Sequence, residues 1–334
     1  MNYCRKIDDT NMAVPKVSVG LPVYNGERYL RQALDSLLSQ DFEDFEIVLS
    51  DNASTDSTAE ICRFYATKDR RVRYYRNESN IGSAPNYRRV FELARGEFFK
   101  WHAHDDLCHP NFIRRCVEVF ESAPPSVVLV YPQCNLIDEF GEVMGRAEDH
   151  VETRHKRAWR RMAQVLGNVS YAYPVGGLIR TDCLRKTRLE GTTSYWDMVL
   201  LVELSLYGEI REIPDVLSQQ RCHTGNAVAV CSVEQGPEVS NNPSKADKKT
   251  REKLLAWTNP TQAGKKIWLP IHEERYWEFL KRVHHAPLSP LEKTLCYLTV
   301  PVVGYWCRFR KFAGMWKRRL LAQPAQLAVR KAKS

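Results

Sequence analysis

Two acidic clusters and one aromatic turn are the parts of this chain whose residue types could do chemistry together. His102-Ala103-His104-Asp105-Asp106 sets two carboxylates among imidazoles, and Ser50-Asp51-Asn52-Ala53-Ser54-Thr55-Asp56 is a second acidic stretch. Pro22-Val23-Tyr24-Asn25-Gly26-Glu27 is a polar turn carrying a ring. Carboxylates repel phosphate, but they can hold a hard divalent cation that binds diphosphate oxygens and needs few protein ligands. A lone aspartate suits a nucleobase N–H or a ribose hydroxyl. The first turn has only Gly26, where a dinucleotide site would need Gly-x-Gly-x-x-Gly, and the chain has no Walker loop. A diphosphate here would be handled by metal, not by a glycine cradle. Each cluster also has a plainer reading. Asp51-Asn52 would serve as turn and cap, and Asp105-Asp106, ahead of Pro110, as a helix start favoured by the dipole. His102, His104 and His109, with Cys108, lack the Cys-x-x-Cys pair of a zinc site and read as hydrogen-bonded neighbours.

The clusters gain weight from the elements that must position them. Val17 to Leu21 is a short apolar run, and Leu30, Ala33, Leu34, Leu37 and Leu38 then recur at helical steps. Ile47-Val48-Leu49 is a second strand. Ser57 and Glu60 have capping-box spacing before a helix with Ile61, Phe64 and Tyr65 on one face. Val72 to Tyr75 is a third strand, Asn86 to Arg95 a helix stopped by Gly96, and Phe98 to Trp101 a fourth strand. Alternation at this spacing implies right-handed crossovers and a mainly parallel sheet, whose ligands gather at the strands' carboxyl ends. All three clusters follow strands. Beyond them the patterns predict a strand over Val127–Tyr131, a charged helix over Glu148–Ala163, an apolar helix over Leu200–Tyr207 and a strand over Ile210–Ile213.

As a set, these pieces resemble family 2 glycosyltransferases of the GT-A fold. The resemblance rests on Val19 to Gly26, Ile47 to Asp56, Asn80-Ile81-Gly82-Ser83-Ala84, Ala94-Arg95-Gly96-Glu97 and His104-Asp105-Asp106, in that order, over roughly residues 15 to 225. It implies an α/β GT-A fold and donor contacts from Pro22, Val23, Tyr24, Asn25, Asp51, Asn80, Gly82, His104 and Asp106, with Asp51 accepting from uracil if the donor is a UDP-sugar. It implies Mn²⁺ or Mg²⁺ on a DxD-like motif whose second aspartate matches Asp105; the first matches Ala103, a departure from the pattern. The family's catalytic base lies in a Glu-Asp pair ahead of a helix, so Asp197 is the implied base and Trp196 replaces the glutamate. Arg221-Cys222-His223 fits an Arg-x-His element, with His223 completing the metal shell or, together with Arg221, meeting the diphosphate. The implied reaction is inverting transfer from a nucleotide-diphosphate sugar, UDP by default, to a glycan or lipid-linked acceptor hydroxyl in polysaccharide or surface-glycan assembly. A non-catalytic nucleotide-sugar-binding scaffold on the same fold is the alternative that Ala103 and Trp196 leave open, and Asp197 could equally be a helix cap.

Length and charge bound the rest. The 334 residues suit one large domain with an appendage, and 43% hydrophobic and 27% charged residues are ordinary for a globular enzyme. The net charge of +9 comes from nine bases between Arg308 and Ser334, a stretch without acids; taking them from 49 bases leaves 40 to match 40 acids in the body. A neutral body speaks against a nucleic-acid groove, and a basic tail suits an anionic surface or a solvated end. The boundaries expected are an arm over 1–14, a catalytic domain over 15–228, a linker over 229–250 and a helical, basic extension over 251–334. Met1 to Ala13 is polar and no signal peptide, and ten scattered cysteines suit a reducing, cytoplasmic setting with peripheral attachment to the membrane's inner face open. Thr294 to Cys307 has no charge but is too short to span a bilayer, and reads either as surface-lying or as a buried helix.

Overall fold

The structure is a computed structural model that describes residues 14–169, 172–189, 196–223 and 271–303. The expected linker and the basic tail lie outside those residues.

Strands buried on both faces read as unbroken apolar runs, and β1 (Val17–Val23) and β2 (Phe45–Asp51) are buried along their whole length. Between them α1 (Leu30–Leu38) buries the stripe Leu30, Ala33, Leu34 and Leu37. Then follow α2 (Thr58–Lys68), β3 (Val72–Arg76), α3 (Ser83–Glu92) and β4 (Phe98–Trp101). The second half supplies β5 (Leu107–Cys108), α4 (Phe112–Ser122), β6 (Val127–Ile137), β7 (Val143–Arg146), α5 (Ala158–Asn168), β8 (Leu178–Arg180), α6 (Thr181–Leu184), α7 (Trp196–Tyr207), β9 (Glu209–Arg221) and, later in the chain, α8 (Ile271–His285). Among the described residues, all nine strands join one sheet in the order β3-β2-β1-β4-β8-β6-β9-β5, with β7 paired to β6. The long ladders β3-β2, β2-β1, β1-β4 and β6-β9 are parallel, while the short pairings of β5, β7 and β8 are antiparallel. The sheet is thus mainly parallel, as expected.

Four local expectations change. Helix α5 begins only at Ala158, because the charged stretch before it is extended: Ala147, Asp149, Val151 and Thr153 are buried alternately. Thr153 exchanges two 2.9 Å bonds with Ile210, and Val151 N–H donates to the Tyr131 hydroxyl, so a polar-looking segment docks as an extra edge. Strand β6 runs on to Ile137 and β9 to Arg221, past register shifts near Pro132 that the predicted strand ends reflect. The capping box at Ser57 does not form; Asp56 accepts from Thr58 N–H at 3.0 Å, and Ser57 N–H goes to Glu27. Helix α3 spans Ser83–Glu92, ahead of the predicted Asn86–Arg95, since Gly82 with φ 92° opens it.

The C-terminal helices share the main core. Phe279, Val283, Cys296 and Val300 cluster with Leu201 and Leu204 of α7, and the buried Glu203 meets Arg282 at 3.3 Å. Residues 290–303 are helical with Cys296 and Val300 buried and Leu291, Leu298 and Val302 each about two-thirds exposed (61%, 60% and 66%). Of the uncharged segment, the described part through residue 303 is thus a helix with one buried and one exposed face. No described helix is long and apolar enough to cross a membrane. At the opposite end of the sheet from the three clusters, Glu46 is buried and tied to Ser18 (2.7 Å), Arg73 (2.9 Å) and Arg95 (2.7 Å).

Candidate active site

Register places the clusters at one edge. Val23 pairs with Asp51 across β1 and β2, and β4 lies on β1's other side with His102 N–H bonded to Gly20 O. The first two loops are laced together. Asn25 N–H donates to Ser54 Oγ (3.0 Å), Thr55 N–H to Asn25 Oδ1 (2.9 Å), Gly26 N–H to Thr58 Oγ1 (2.8 Å) and Asn52 N–H to Val23 O (2.8 Å). Pro22 and Val23 are buried in the sheet, while Tyr24 (40% exposed) and Asn25 face solvent. Gly26 must be glycine for a steric reason, since a Cβ there would lie 2.7 Å from the His104 ring and 2.6 Å from Val23.

Asp51 is fully buried. It accepts from Ser54 N–H (2.8 Å) on one oxygen and from Tyr74 (3.0 Å) and Arg76 (2.6 Å) on the other. Asn80 and Gly82 belong to an amide network centred on Asn52, which donates to Asn80 Oδ1 (2.9 Å) and Gly82 O (3.1 Å).

Beyond β4 the arrangement is tighter. Strand β5 pairs with β9, so the loop carrying Asp105 and Asp106 lies against the end of β9. His223 Nε2 sits 2.9 Å from Asp105 Oδ2, and Arg221 N–H donates to Asp106 Oδ1 at 3.0 Å. Burial alone would raise the Asp105 carboxyl, but the His223 hydrogen bond and the two neighbouring imidazoles outweigh it and hold Asp105 below the ordinary carboxylate range. Burial, helped by the Asp105 charge, raises Asp106 instead. Burial also lowers His104 and pushes His102 down to about 3; the His102 ring bonds to Asp106 O.

Arg221, expected to meet a diphosphate, bonds protein acceptors at the end of β9. Its side chain is buried, and the guanidinium donates to Asp105 O (3.0 Å), Asp138 O (3.1 Å), Glu139 O (3.2 Å) and Gln32 Oε1 (2.9 Å) while stacking 4.6 Å over Tyr29. It clamps the acidic loop from below. Tyr29 in turn packs 4.9 Å from the His223 ring.

Asp197 lies in the first turn of α7, with Oδ1 accepting from the N–H of its neighbour Met198 at 2.7 Å. Burial pushes its carboxyl up to about 6. The start of α7 reaches the other clusters through aromatic rings: Trp196 stands 5.7 Å from Trp101 and 5.3 Å from Tyr87. The Tyr87 phenol is raised by burial and by the charges of Asp105, Asp106 and Asp197, so all three acids lie within electrostatic reach of one side chain.

A metal fits the pair Asp105 and His223, one hard oxygen and one imidazole nitrogen in direct contact, where a cation would replace their hydrogen bond. No third His, Cys, Asp or Glu completes a metal cluster among the described residues, so the donor's oxygens and water would fill the remaining shell.

Residues 18–188, half of the chain, match the family model described as "Glycosyl transferase family 2". The chain belongs to that family. A Rickettsia felis protein described as "Uncharacterized glycosyltransferase" is 36% identical to this family 2 chain over 140 residues, 41% of the chain and 22% of that protein. Glycosyltransferase GlyG of Streptococcus pneumoniae is 31% identical over 113 residues, 34% of the chain and 38% of GlyG. The matches thus span well under half the length of these relatives. Residues 1–349 of S. aureus TarS, solved in complex with UDP, share the fold with a TM-score of 0.51 and 17% identity, over 88% of this chain and 91% of that one.

Against this family's pattern, the structure brings Asp105, Asp106, His223 and His104 together and sets Asp197 across an aromatic wedge from them. Sequence reasoning missed Tyr87, Trp101, Tyr29 and Gln32. Tyr87 carried one faint signal, its place at helical spacing before Val90 and Phe91 on the buried face of α3.

Proposed function

We propose that this chain is a metal-dependent, inverting glycosyltransferase that moves a sugar from a nucleotide-diphosphate donor to an acceptor hydroxyl. The observation that carries this is the Trp101–Trp196 contact. It sets Trp196, the neighbour of the base candidate Asp197, against the last residue of β4, four residues before Asp105, with Tyr87 packed on Trp196 as well. The nucleotide is assigned to the laced loops, where Tyr24 and Asn25 are exposed and Asp51 is held beneath them. UDP is the nucleotide in the TarS structure whose fold the chain shares, and is our assignment here.

Asp197 takes the acceptor hydroxyl's proton on its oxygen not engaged by Met198 N–H, and the hydroxyl oxygen attacks the anomeric carbon. The bond from that carbon to the diphosphate oxygen breaks on the opposite side, its electron pair leaving with the diphosphate, so configuration inverts. Mn²⁺ or Mg²⁺ held by Asp105 and His223 would offset the charge on the departing diphosphate. Arg221 fixes the loop that presents Asp105, and binding donor and acceptor side by side supplies a large part of the acceleration.

Peripheral membrane attachment belongs to the same proposal. Leu291, Leu298 and Val302 are exposed at i, i+7 and i+11, one stripe of a helix that leads in sequence into nine bases without an acid. A lipid-linked or surface-glycan acceptor fits such a position. The test of function is a thermal-shift screen of nucleotide sugars with Mn²⁺, followed by product analysis. Stabilisation by one nucleotide family and a β-to-α or α-to-β change in the product's linkage support it; a shift with no transfer to any acceptor would favour a scaffold. Membrane attachment is tested by sedimentation with phosphatidylserine vesicles, where Leu298→Glu and deletion of Arg308–Ser334 should each lower the bound fraction.

A further inference from the structure

The aromatic wedge does more than join two elements. Trp101 is buried and locked, its indole N–H donating to Tyr87 O at 3.0 Å. Tyr87 and Trp196, by contrast, are part-exposed, with ring planes inclined at 58° and centroids 5.3 Å apart. Among the described residues neither the Tyr87 hydroxyl nor the Trp196 indole N–H makes a hydrogen bond. Tyr and Trp with one apolar face and a free polar tip are built to meet a ligand that is itself apolar on one face and hydroxylated at its rim. A pyranose has that character, with C–H bonds on its face and hydroxyls around its edge. Trp196 also stands directly before Asp197, at the position where the family's pattern has a glutamate, so an apolar plate replaces a charge beside the proposed base.

Resting on the glycosyltransfer reading above, we propose that Trp196 and Tyr87 form the acceptor subsite and that the acceptor is a sugar. The pyranose packs on the open face of Trp196, and the Tyr87 hydroxyl bonds to a neighbouring ring hydroxyl. Together they hold the attacking hydroxyl against the free oxygen of Asp197. An acceptor lacking a ring, such as a serine hydroxyl or a simple polyol, would lose the stacking contact. The subsite therefore selects a glycan end over a protein or polyol hydroxyl.

The experiment uses the full chain with Mn²⁺ and a panel of UDP- and GDP-sugars, first with water and then with methyl hexopyranosides, methyl N-acetylhexosaminides and glycerol as acceptors. Trp196→Ala should raise the KM for the best methyl glycoside at least about tenfold while the donor KM moves less than about twofold. Trp196→Phe should restore most of the acceptor affinity, and Tyr87→Phe should raise the acceptor KM several-fold. Equal acceptor KM in Trp196→Ala and wild type, a donor KM rising in parallel, or glycerol serving as well as the glycosides would each overturn the subsite. Donor hydrolysis by the wild type with no transfer to any glycoside would overturn it too. A wild type that turns over no donor at all would instead fell the glycosyltransfer reading, and the subsite with it.

Discussion

His223 Nε2 lies 2.9 Å from Asp105 Oδ2, joining the end of β9 to the loop after β4 across 118 residues of sequence. The contact exists because β5 pairs with β9 and Arg221, two residues earlier, is clamped beneath the same loop. Replacing His223 with Ala, which removes one of the two proposed metal ligands, should raise the Mn²⁺ concentration for half-maximal turnover by at least about 10–100-fold, the cost of losing even an outer-shell partner. The same substitution should leave the nucleotide affinity measured in EDTA within about twofold. A metal titration of initial rates checks both.

Asp197, pushed up to about 6, gives a pH prediction. As a base it must be ionised, so kcat/KM should fall as pH drops through about 6, and Asp197→Asn should lose about 10²–10⁴-fold at neutral pH. The stability effect has the opposite sense. A carboxyl whose folded pKa lies above its ordinary 3.8 destabilises the fold once ionised; that cost is absent below 3.8, grows up to about 6 and is full above it. Asp197→Asn should therefore stabilise the fold at pH 7.5, by on the order of 2 kcal/mol at most given its partial exposure, and so raise Tm there while leaving it unchanged at pH 4. Melting curves at the two pH values decide it.

Glu46 separates stability from chemistry. Burial opposes its ionisation, but Ser18, Arg95 and Arg73 more than compensate and hold its carboxyl below the usual 4.5. Its stabilising contribution is present above pH 4.5 and lost as pH falls below that value. Glu46→Ala, which removes the shared partner of two guanidinium groups, should cost about 3–5 kcal/mol. Turnover well below the lowered Tm should persist, because this cluster lies at the far end of the sheet.

Arg221→Lys keeps the charge but loses the fork that serves four acceptors. With its carbonyls left partly unsatisfied it should cost about 2–3 kcal/mol of stability. It should also raise the Mn²⁺ requirement, because Asp105 O is one of those acceptors. A residue that touched the diphosphate directly would instead show its loss in nucleotide affinity without metal.

The strand-end clusters were legible because β1 and β2 are unbroken apolar runs ended by polar turns, and because parallel sheets send such turns to one edge. The clamp and the wedge were not. Arg221 finds its acceptors on Asp138, Glu139 and Gln32, a set scattered over the chain and joined only once β9 runs on past Pro214, where a proline and polar residues hide the strand. The extended segment from Ala147 to Thr153 hid likewise, since its buried positions include Asp149 and Thr153 and its alternation carries little hydrophobic contrast. Trp196 could be seen as a departure from the family's pattern, but nothing in its spacing placed it against Trp101 and Tyr87.

The most direct test of the account is calorimetric binding of UDP with and without Mn²⁺, to the wild type and to Asp105→Ala. The account predicts that Mn²⁺ tightens UDP binding at least about tenfold in the wild type and has no effect on the variant. Equal affinity in Mn²⁺ and in EDTA for the wild type, or an undiminished Mn²⁺ effect in Asp105→Ala, would contradict it.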